Sequence, residues 1–320
     1  MQEADWRPAA APERLALRAR VLAEVRDFFA RRAVLEVETP LLSQAGTTDP
    51  NIESYTVADA DGSLRFLQTS PEFAMKRMLS AGIGDIYQIG KAFRRAEAGR
   101  WHNPEFTLLE WYRTGFDHWR LMDEVEALCR TLLGDVIVGE THWKSYSAAF
   151  DEATGIDPNA PEPGAIADCA QALGLTTVES LDTSQWLDLF FSEAVARRFP
   201  AGRLTFIYDF PAEQASLARI RDGSPPVAER FEVFLGPMEL GNGFHELTDA
   251  AEQHARFEAE LKRRSRAGKA GVEMDRRLVA ALQAGMPECA GVALGVDRML
   301  MARVGATHIE EVIAFPWPRA

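Results

Sequence analysis

Between Phe93 and Phe106 the chain reads FRRAEAGRWHNPEF, which gathers Arg94, Arg95, Arg100 and His102 in one short stretch. Arginine presents a planar fork of donors matched to phosphate oxygens, so such a loop suits a polyanion such as a triphosphate. His102 and Asn103 could add hydrogen bonds, and Phe106 offers a ring on which a base can stack. Composition alone fits a solvated hairpin tip equally well. A second set is Glu232, Glu239 and Glu246, with Gly236-Pro237 and Gly241-Asn242-Gly243 between them. Two carboxylates holding Mg²⁺ on substrate phosphates is common in ATP chemistry, and a third could pair with a substrate ammonium. Their odd spacing alternates faces on one unbroken strand, so turns at the glycines are needed to collect them. Surface glutamates of an acidic chain are the plainer alternative. The third set is Gly291-Val-Ala-Leu-Gly-Val-Asp-Arg298. Glycines in a strand let a ligand approach the backbone, Asp297 fits a helix N-cap, and Arg298 in the following turn could meet a phosphate.

Other chemistries find no support. GxGxxG and GxxxxGK[ST] are both missing, so neither a Rossmann nor a P-loop site is indicated. No GxSxG elbow occurs. His118, His142, His254 and His308 show no metal-ligand spacing, and ordinary structural roles are expected for them.

The elements that must position these groups follow from periodicity. Leu17, Val21, Val25 and Phe28 share a helical face, which predicts a helix over about 13–33. Val34–Thr39 alternates as a short strand stopped by Pro40. Strands are expected at 64–68, 86–93 and 105–112, the last two flanking the cationic loop. Helices are expected at 72–81 and 118–133. Residues 158–199 read as a helical insertion, with helices near 165–173 and 185–199. Strands return at 204–210, 230–235 and 238–241, followed by helices at 249–267 and 275–284. Many strands with irregular helical interruptions, and no regular βαβ alternation, predict an α+β fold with a mostly antiparallel sheet.

The chain has 320 residues, 47% of them hydrophobic, enough for a sizeable core. Its 35 Lys and Arg against 48 Asp and Glu leave a net charge of −13, which argues against a general nucleic-acid surface but not against a local basic patch. No apolar run of about 18 residues is present, and the N-terminus is acidic where a signal peptide would be basic. Cys129, Cys169 and Cys289 lie far apart with no CxxC pair, so a reduced, cytoplasmic compartment is expected. Cys129 and Cys169, in predicted helices, read as core residues.

Taken together and in order, the three sets resemble those of the class II aminoacyl-tRNA synthetases. The first helix with Val34-Leu-Glu-Val-Glu-Thr-Pro40 resembles motif 1, Phe93-Arg94 through Tyr112 resembles motif 2, and Gly291–Arg298 resembles motif 3. Within the class the similarity is to lysyl-tRNA synthetase and, more closely, to a stand-alone group of its paralogues that join (R)-β-lysine to elongation factor P. Thr69-Ser-Pro-Glu72, Met75-Lys-Arg77, His102-Asn-Pro-Glu-Phe106, Glu110-Trp-Tyr-Arg113 and Gly243-Phe-His-Glu-Leu-Thr-Asp249 carry it. Two features favour this group: the first helix leaves no room for an anticodon-binding domain, and position 293 is Ala where the synthetases usually have Gly.

The resemblance implies a single catalytic domain over 1–320, a homodimer formed through motif 1, and ATP and Mg²⁺ as cofactors. Arg94 and Arg298 would be catalytic, neutralising the α- and γ-phosphates. Arg95, His102, Asn103, Phe106, Glu239, Leu240 and Gly295 would complete the ATP site, with Phe106 under the adenine. Glu232 and Glu239 would hold the metal. Ser70, Glu72, Tyr112, Glu246 and Ala293 would receive (R)-β-lysine or lysine, with Glu246 and Tyr112 at the distal ammonium. Elongation factor P would be the acceptor, and tRNA is disfavoured; activation of lysine for tRNA or a small molecule, or a non-catalytic regulatory role, are the alternatives. One departure bears on ATP: the motif 2 glutamate of the family is Ala96 here, Arg95 replaces its usual Asn, and Glu97 is the nearest substitute acid.

Overall fold

Val21, Val25, Phe28 and Phe29 recur at helical spacing, and a computed structural model of the chain buries all four on one face of its first helix. The structure describes residues 6–175 and 181–320. In chain order the elements are α1 (Pro12–Ala30), β1 (Leu35–Glu36), β2 (Leu42–Ser43), β3 (Thr56–Ala58), β4 (Leu64–Leu67), α2 (Glu72–Ser80), β5 (Ile86–Phe93), β6 (Glu105–Thr114), α3 (His118–Leu133), β7 (His142–Ser145), α4 (Tyr146–Thr154), α5 (Pro163–Ala172), α6 (Thr183–Phe190), β8 (Leu204–Pro211), β9 (Ile220–Arg221), β10 (Val227–Leu235), β11 (Met238–His245), α7 (Ala250–Arg266), α8 (Arg276–Gly285), β12 (Cys289–Gly295) and α9 (Val296–Val304). They fall into two compact units, one made of the described residues in Met1–Phe116 and Thr248–Ala320, the other of those in Asp117–Leu247.

In the first unit β5, β6 and β12 pair antiparallel, and β1 adds to β5 in parallel. One face of this sheet carries Tyr87, Leu109, Trp111, Val292 and Leu294, all buried. Helix α1 packs there: Phe29 stacks on Tyr87 at 4.5 Å and meets Trp111 edge-on at 5.2 Å. Each such aromatic buries enough apolar surface for roughly 1.5–3 kcal/mol. The segment joining β2 and β3 is anchored from below by α7. Arg264 there is 4% exposed and donates to the carbonyls of Asp49 and Ile52 at 2.7 and 3.0 Å.

In the second unit β10 pairs antiparallel with β8 and β11, β9 with β10, and β7 runs parallel to β8. Tyr146, Phe150, Phe191, Phe210 and Phe234 form its aromatic core, with Tyr146 and Phe191 stacked at 5.0 Å. The α+β expectation and the predominance of antiparallel pairing hold in both units.

Local differences have local reasons. The strand predicted at 34–39 is reduced to Leu35–Glu36. The predicted 158–199 insertion contains α5 and α6, and α6 runs on through a π turn at Phe191–Val195; residues 176–180 lie outside the described part. Cys129 is fully buried as expected, whereas Cys169 is half-exposed. Asp297 is not an N-cap: α9 starts at Val296 with Gly295 as its cap. The Asp297 carboxylate instead accepts the backbone N–H of Thr107 at 2.7 Å and an ion pair from Arg18. Those tertiary donors outcompete the local cap.

Candidate active site

The register of β5, β6 and β12 decides what faces away from α1. Gln88, Glu110 and Ala293 sit side by side, flanked on one side by Ile86, Tyr112 and Gly291 and on the other by Gly90, Leu108 and Gly295. Three glycines and an alanine add little side chain of their own to this face, although the Gln88 amide lies over Gly90. A Cβ added at Gly295 would lie 3.7 Å from its nearest neighbours, an ordinary contact. Protein packing therefore does not demand glycine there.

The polar groups on this floor are preorganised. Glu110 is 2% exposed and accepts from the hydroxyls of both Ser70 and Tyr112 at 2.7 Å. Ser70 also receives the backbone N–H of Glu72, at 3.0 Å. The Glu72 carboxylate is held by Lys76, which is 1% exposed, at 2.7 Å. Of the predicted amino-acid-binding set, Ser70, Tyr112 and Ala293 thus converge on Glu110, and Glu72 brings an internal cation with it. Sequence reasoning missed Glu110 and Lys76 as site residues; Glu110 carries a signal, a lone carboxylate in the apolar run Leu108–Tyr112 of β6.

The cationic loop leaves the same sheet. Arg94 sits with its guanidinium carbon 5.2 Å from the centre of the Phe106 ring, its Nη1 3.9 Å from a Glu97 oxygen and its Nε donating to the Thr69 carbonyl at 3.4 Å. Phe106 is half-exposed and Arg95 fully so. Ala96 adopts a left-handed φ of +66°, unusual for a residue with a Cβ. It is therefore Glu97, one residue on, whose carboxylate approaches Arg94. His102 lies 2.7 Å from Arg298, which joins the loop to the start of α9. Asn103 is 7% exposed, donates to the Glu105 carbonyl at 2.6 Å and accepts from the Trp317 backbone at 2.9 Å. Both ends of its amide are engaged in pinning the loop.

The three glutamates lie in the second unit, Glu232 and Glu239 on the β10–β11 hairpin and Glu246 just after the end of β11. Glu232 stands opposite Asn242, and Phe234 opposite Glu239, with the register shift falling between Val233 and Phe234. Leu240 is the extra residue of this bulge and is buried, at 1% exposed. Because Leu240 adds one residue, the odd step from Glu239 to Glu246 becomes an even one, and register places Glu232, Glu239 and Glu246 on one face. Burial pushes the Glu232 carboxyl up to about 7; Arg230, 2.6 Å away, opposes this and Glu239 reinforces it. Glu246 is 1% exposed. Close carboxylates with hard oxygen donors, held where ionisation is costly, fit a magnesium ion.

Comparisons with known proteins identify the family and relatives of the chain. The class II tRNA synthetase family (D, K and N) matches residues 2–319. A protein of Vibrio cholerae named "Elongation factor P--(R)-beta-lysine ligase" is 47% identical, with all of both chains covered. Proteins of the same name from Photorhabdus laumondii and Proteus mirabilis are each 46% identical, covering 99% or more of both chains. Among the described residues no helix is long and apolar enough to cross a membrane.

Proposed function

Since the chain belongs to the class II tRNA synthetase family (D, K and N), we propose that it activates (R)-β-lysine with ATP and transfers it to a lysine of elongation factor P. The observation that supports this most is the preorganised Ser70–Glu110–Tyr112 group beside Ala293, on a floor of small residues. A buried carboxylate satisfied by two hydroxyls is a rigid seat for an ammonium group, and the Ala293 methyl narrows the place where an α-amino group would sit.

In the first step a carboxylate oxygen of the amino acid bonds to the α-phosphorus of ATP and pyrophosphate leaves. Arg94 neutralises the charge that develops on the α-phosphate, and Arg298, oriented by His102, the γ-phosphate end. Phe106 stacks on the adenine, Gly295 gives it room, and Asn103 keeps the loop in place. Glu97 takes the position left by Ala96, and Arg95 extends the cationic rim. Glu232 and Glu239 would hold Mg²⁺, which would supply positive charge against the phosphates. Glu246 and Glu72 complete the recognition of the two amines. In the second step the neutral ε-amine of the acceptor lysine attacks the acyl carbon, AMP leaves, and an amide forms. No protein nucleophile is needed.

Arg77, Arg95 and Arg100 are exposed and supply local cations for an acidic partner on a chain whose net charge is −13. Leu35, Leu41 and Leu42, each 44% exposed or more, supply an apolar face for a homodimer through the motif 1 segment. The test is an intact-mass spectrum of elongation factor P incubated with enzyme, ATP, Mg²⁺ and either lysine isomer. A one-residue mass gain, larger with (R)-β-lysine, is expected. No gain with either isomer, together with no amino-acid-dependent pyrophosphate exchange, would overturn the proposal.

A further inference from the structure

The second unit holds a group of metal-binding side chains that the proposed reaction does not use. His118 opens α3, Glu229 lies on β10 and His245 ends β11. One ligand atom from each lies within 4.8 Å of the other two. The His118 ring is 1% exposed, and neither of its nitrogens has a hydrogen-bond partner among the described residues. A buried imidazole with both nitrogens unsatisfied forfeits roughly 1–3 kcal/mol per polar atom unless something occupies the space beside it.

The surroundings point the same way. Glu229 accepts from Arg221 at 3.3 Å through one oxygen, and its other oxygen lies 2.5 Å from His245 Nδ1. The side chains of Glu229 and His245 are only 12% and 13% exposed. Asp209 closes the group: one of its oxygens is taken by Arg221 at 2.8 Å, the other is buried without a partner, and its backbone is held at a left-handed φ of +55°. Strain and unsatisfied polar atoms at one spot mark a place built for a ligand.

We propose that His118, Glu229 and His245 form a site for a divalent transition metal of the zinc type, tying the start of α3 to the β10–β11 hairpin. Two imidazoles and a carboxylate are borderline donors that suit zinc or cobalt better than magnesium. Bonds of about 2.0–2.2 Å in a tetrahedral arrangement put ligand atoms roughly 3.3 Å apart, within reach by side-chain rotation alone. The proton shared by Glu229 and His245 leaves to solvent as the metal enters, and Arg221 keeps Glu229 oriented from outside. The ion would brace the hairpin that carries Glu232 and Glu239 and leads directly into Glu246. It escapes a sequence scan because its three ligands come from three elements.

The full-length protein, stripped with chelator and kept in excess Mg²⁺ to saturate hard carboxylate sites, is titrated with Zn²⁺ by calorimetry and with Co²⁺ by visible absorption. One equivalent bound, with the intense d–d bands of tetrahedral cobalt, is expected. His118→Gln and His245→Gln should each weaken binding by about tenfold or more, with far-UV circular dichroism confirming that each variant is folded. No uptake by the wild type overturns the site, a buried water then being the occupant. Undiminished affinity in a folded His245→Gln, or loss of binding in Glu232→Gln instead, overturns it equally.

Discussion

Replacing Asp297 tests how Arg298, the arginine proposed to face the phosphates, is held. Asp297 is 2% exposed, accepts the Thr107 N–H at 2.7 Å and is ion-paired with Arg18, which also donates to the Val312 carbonyl at 2.9 Å. It thereby ties α1, β6 and the C-terminal segment together one residue before Arg298. In Asp297→Ala the buried Thr107 N–H loses its acceptor, a cost of about 1–3 kcal/mol. The Arg18 guanidinium, whose side chain is 19% exposed, loses its counter-charge but keeps Val312. Breaking one partner of such a pair typically costs ~3–5 kcal/mol, and partial exposure of Arg18 places the expectation near the lower end, about 3 kcal/mol. At roughly 2 °C per kcal/mol for a chain of this size, the midpoint should fall by about 6 °C. Asp297→Asn keeps an acceptor for Thr107 and should cost about half as much. The assay is urea unfolding followed by tryptophan fluorescence, with Arg18→Met and the double variant completing a cycle. A coupling energy above about 1 kcal/mol is expected between the two positions. An Asp297→Ala variant within about 0.5 kcal/mol of the wild type, or additive single effects, would refute the reasoning. Because Arg298 follows directly, KM for ATP should rise in the same variants.

Other perturbations address the remaining parts. Glu110→Gln keeps its shape and both hydroxyl partners but loses the charge; a charge-assisted bond is worth ~1.5–3 kcal/mol, so KM for the amino acid should rise about tenfold or more in pyrophosphate exchange while KM for ATP changes less. Ala96→Glu, which restores the family's motif 2 residue at a left-handed position already occupied without glycine, should lower KM for ATP; an unchanged KM would mean that Glu97 already performs the task. Burial and the Glu36 carboxylate, which accepts its hydroxyl at 2.9 Å, push the Tyr87 phenol up to about 12. The unfolded chain ionises near 10 and the folded one later, so this stability is complete below pH 10 and lost as pH rises from about 10 to about 12. Denaturant unfolding of Tyr87→Phe across that window should show a shallower decline than the wild type, and parallel curves would count against the account.

Much of the fold was open to a reader of the sequence. Helix α3 was expected at 118–133 and lies there, and β5 was expected at 86–93 and lies there, because apolar periodicity and flanking glycines are local signals. Element ends held by distant groups were less legible. Asp297 has the chemistry of an N-cap, and only the arrival of Thr107 and Arg18 diverts it. The short β1 is a similar case: alternation in Val34–Thr39 marks strand propensity, but a ladder needs a partner, and β5 pairs with two residues only.

By itself the sequence determined which residue types stand in which order: a cationic loop, three glutamates at equal steps, and a glycine-bearing strand ending in Asp-Arg. Those choices set the chemistry available and the family that shares it. Tertiary structure decided which of them meet. The extra residue at Leu240 turned an odd spacing into a shared face for Glu239 and Glu246. Sheet register placed Ala293 beside Glu110, between two positions more than 180 residues apart in the chain. Packing gathered His118, Glu229 and His245 from a helix and two strands. The physical reason is the same in each case. Propensity and charge act over a few residues, whereas register, bulges and burial are settled by which surfaces exclude water together.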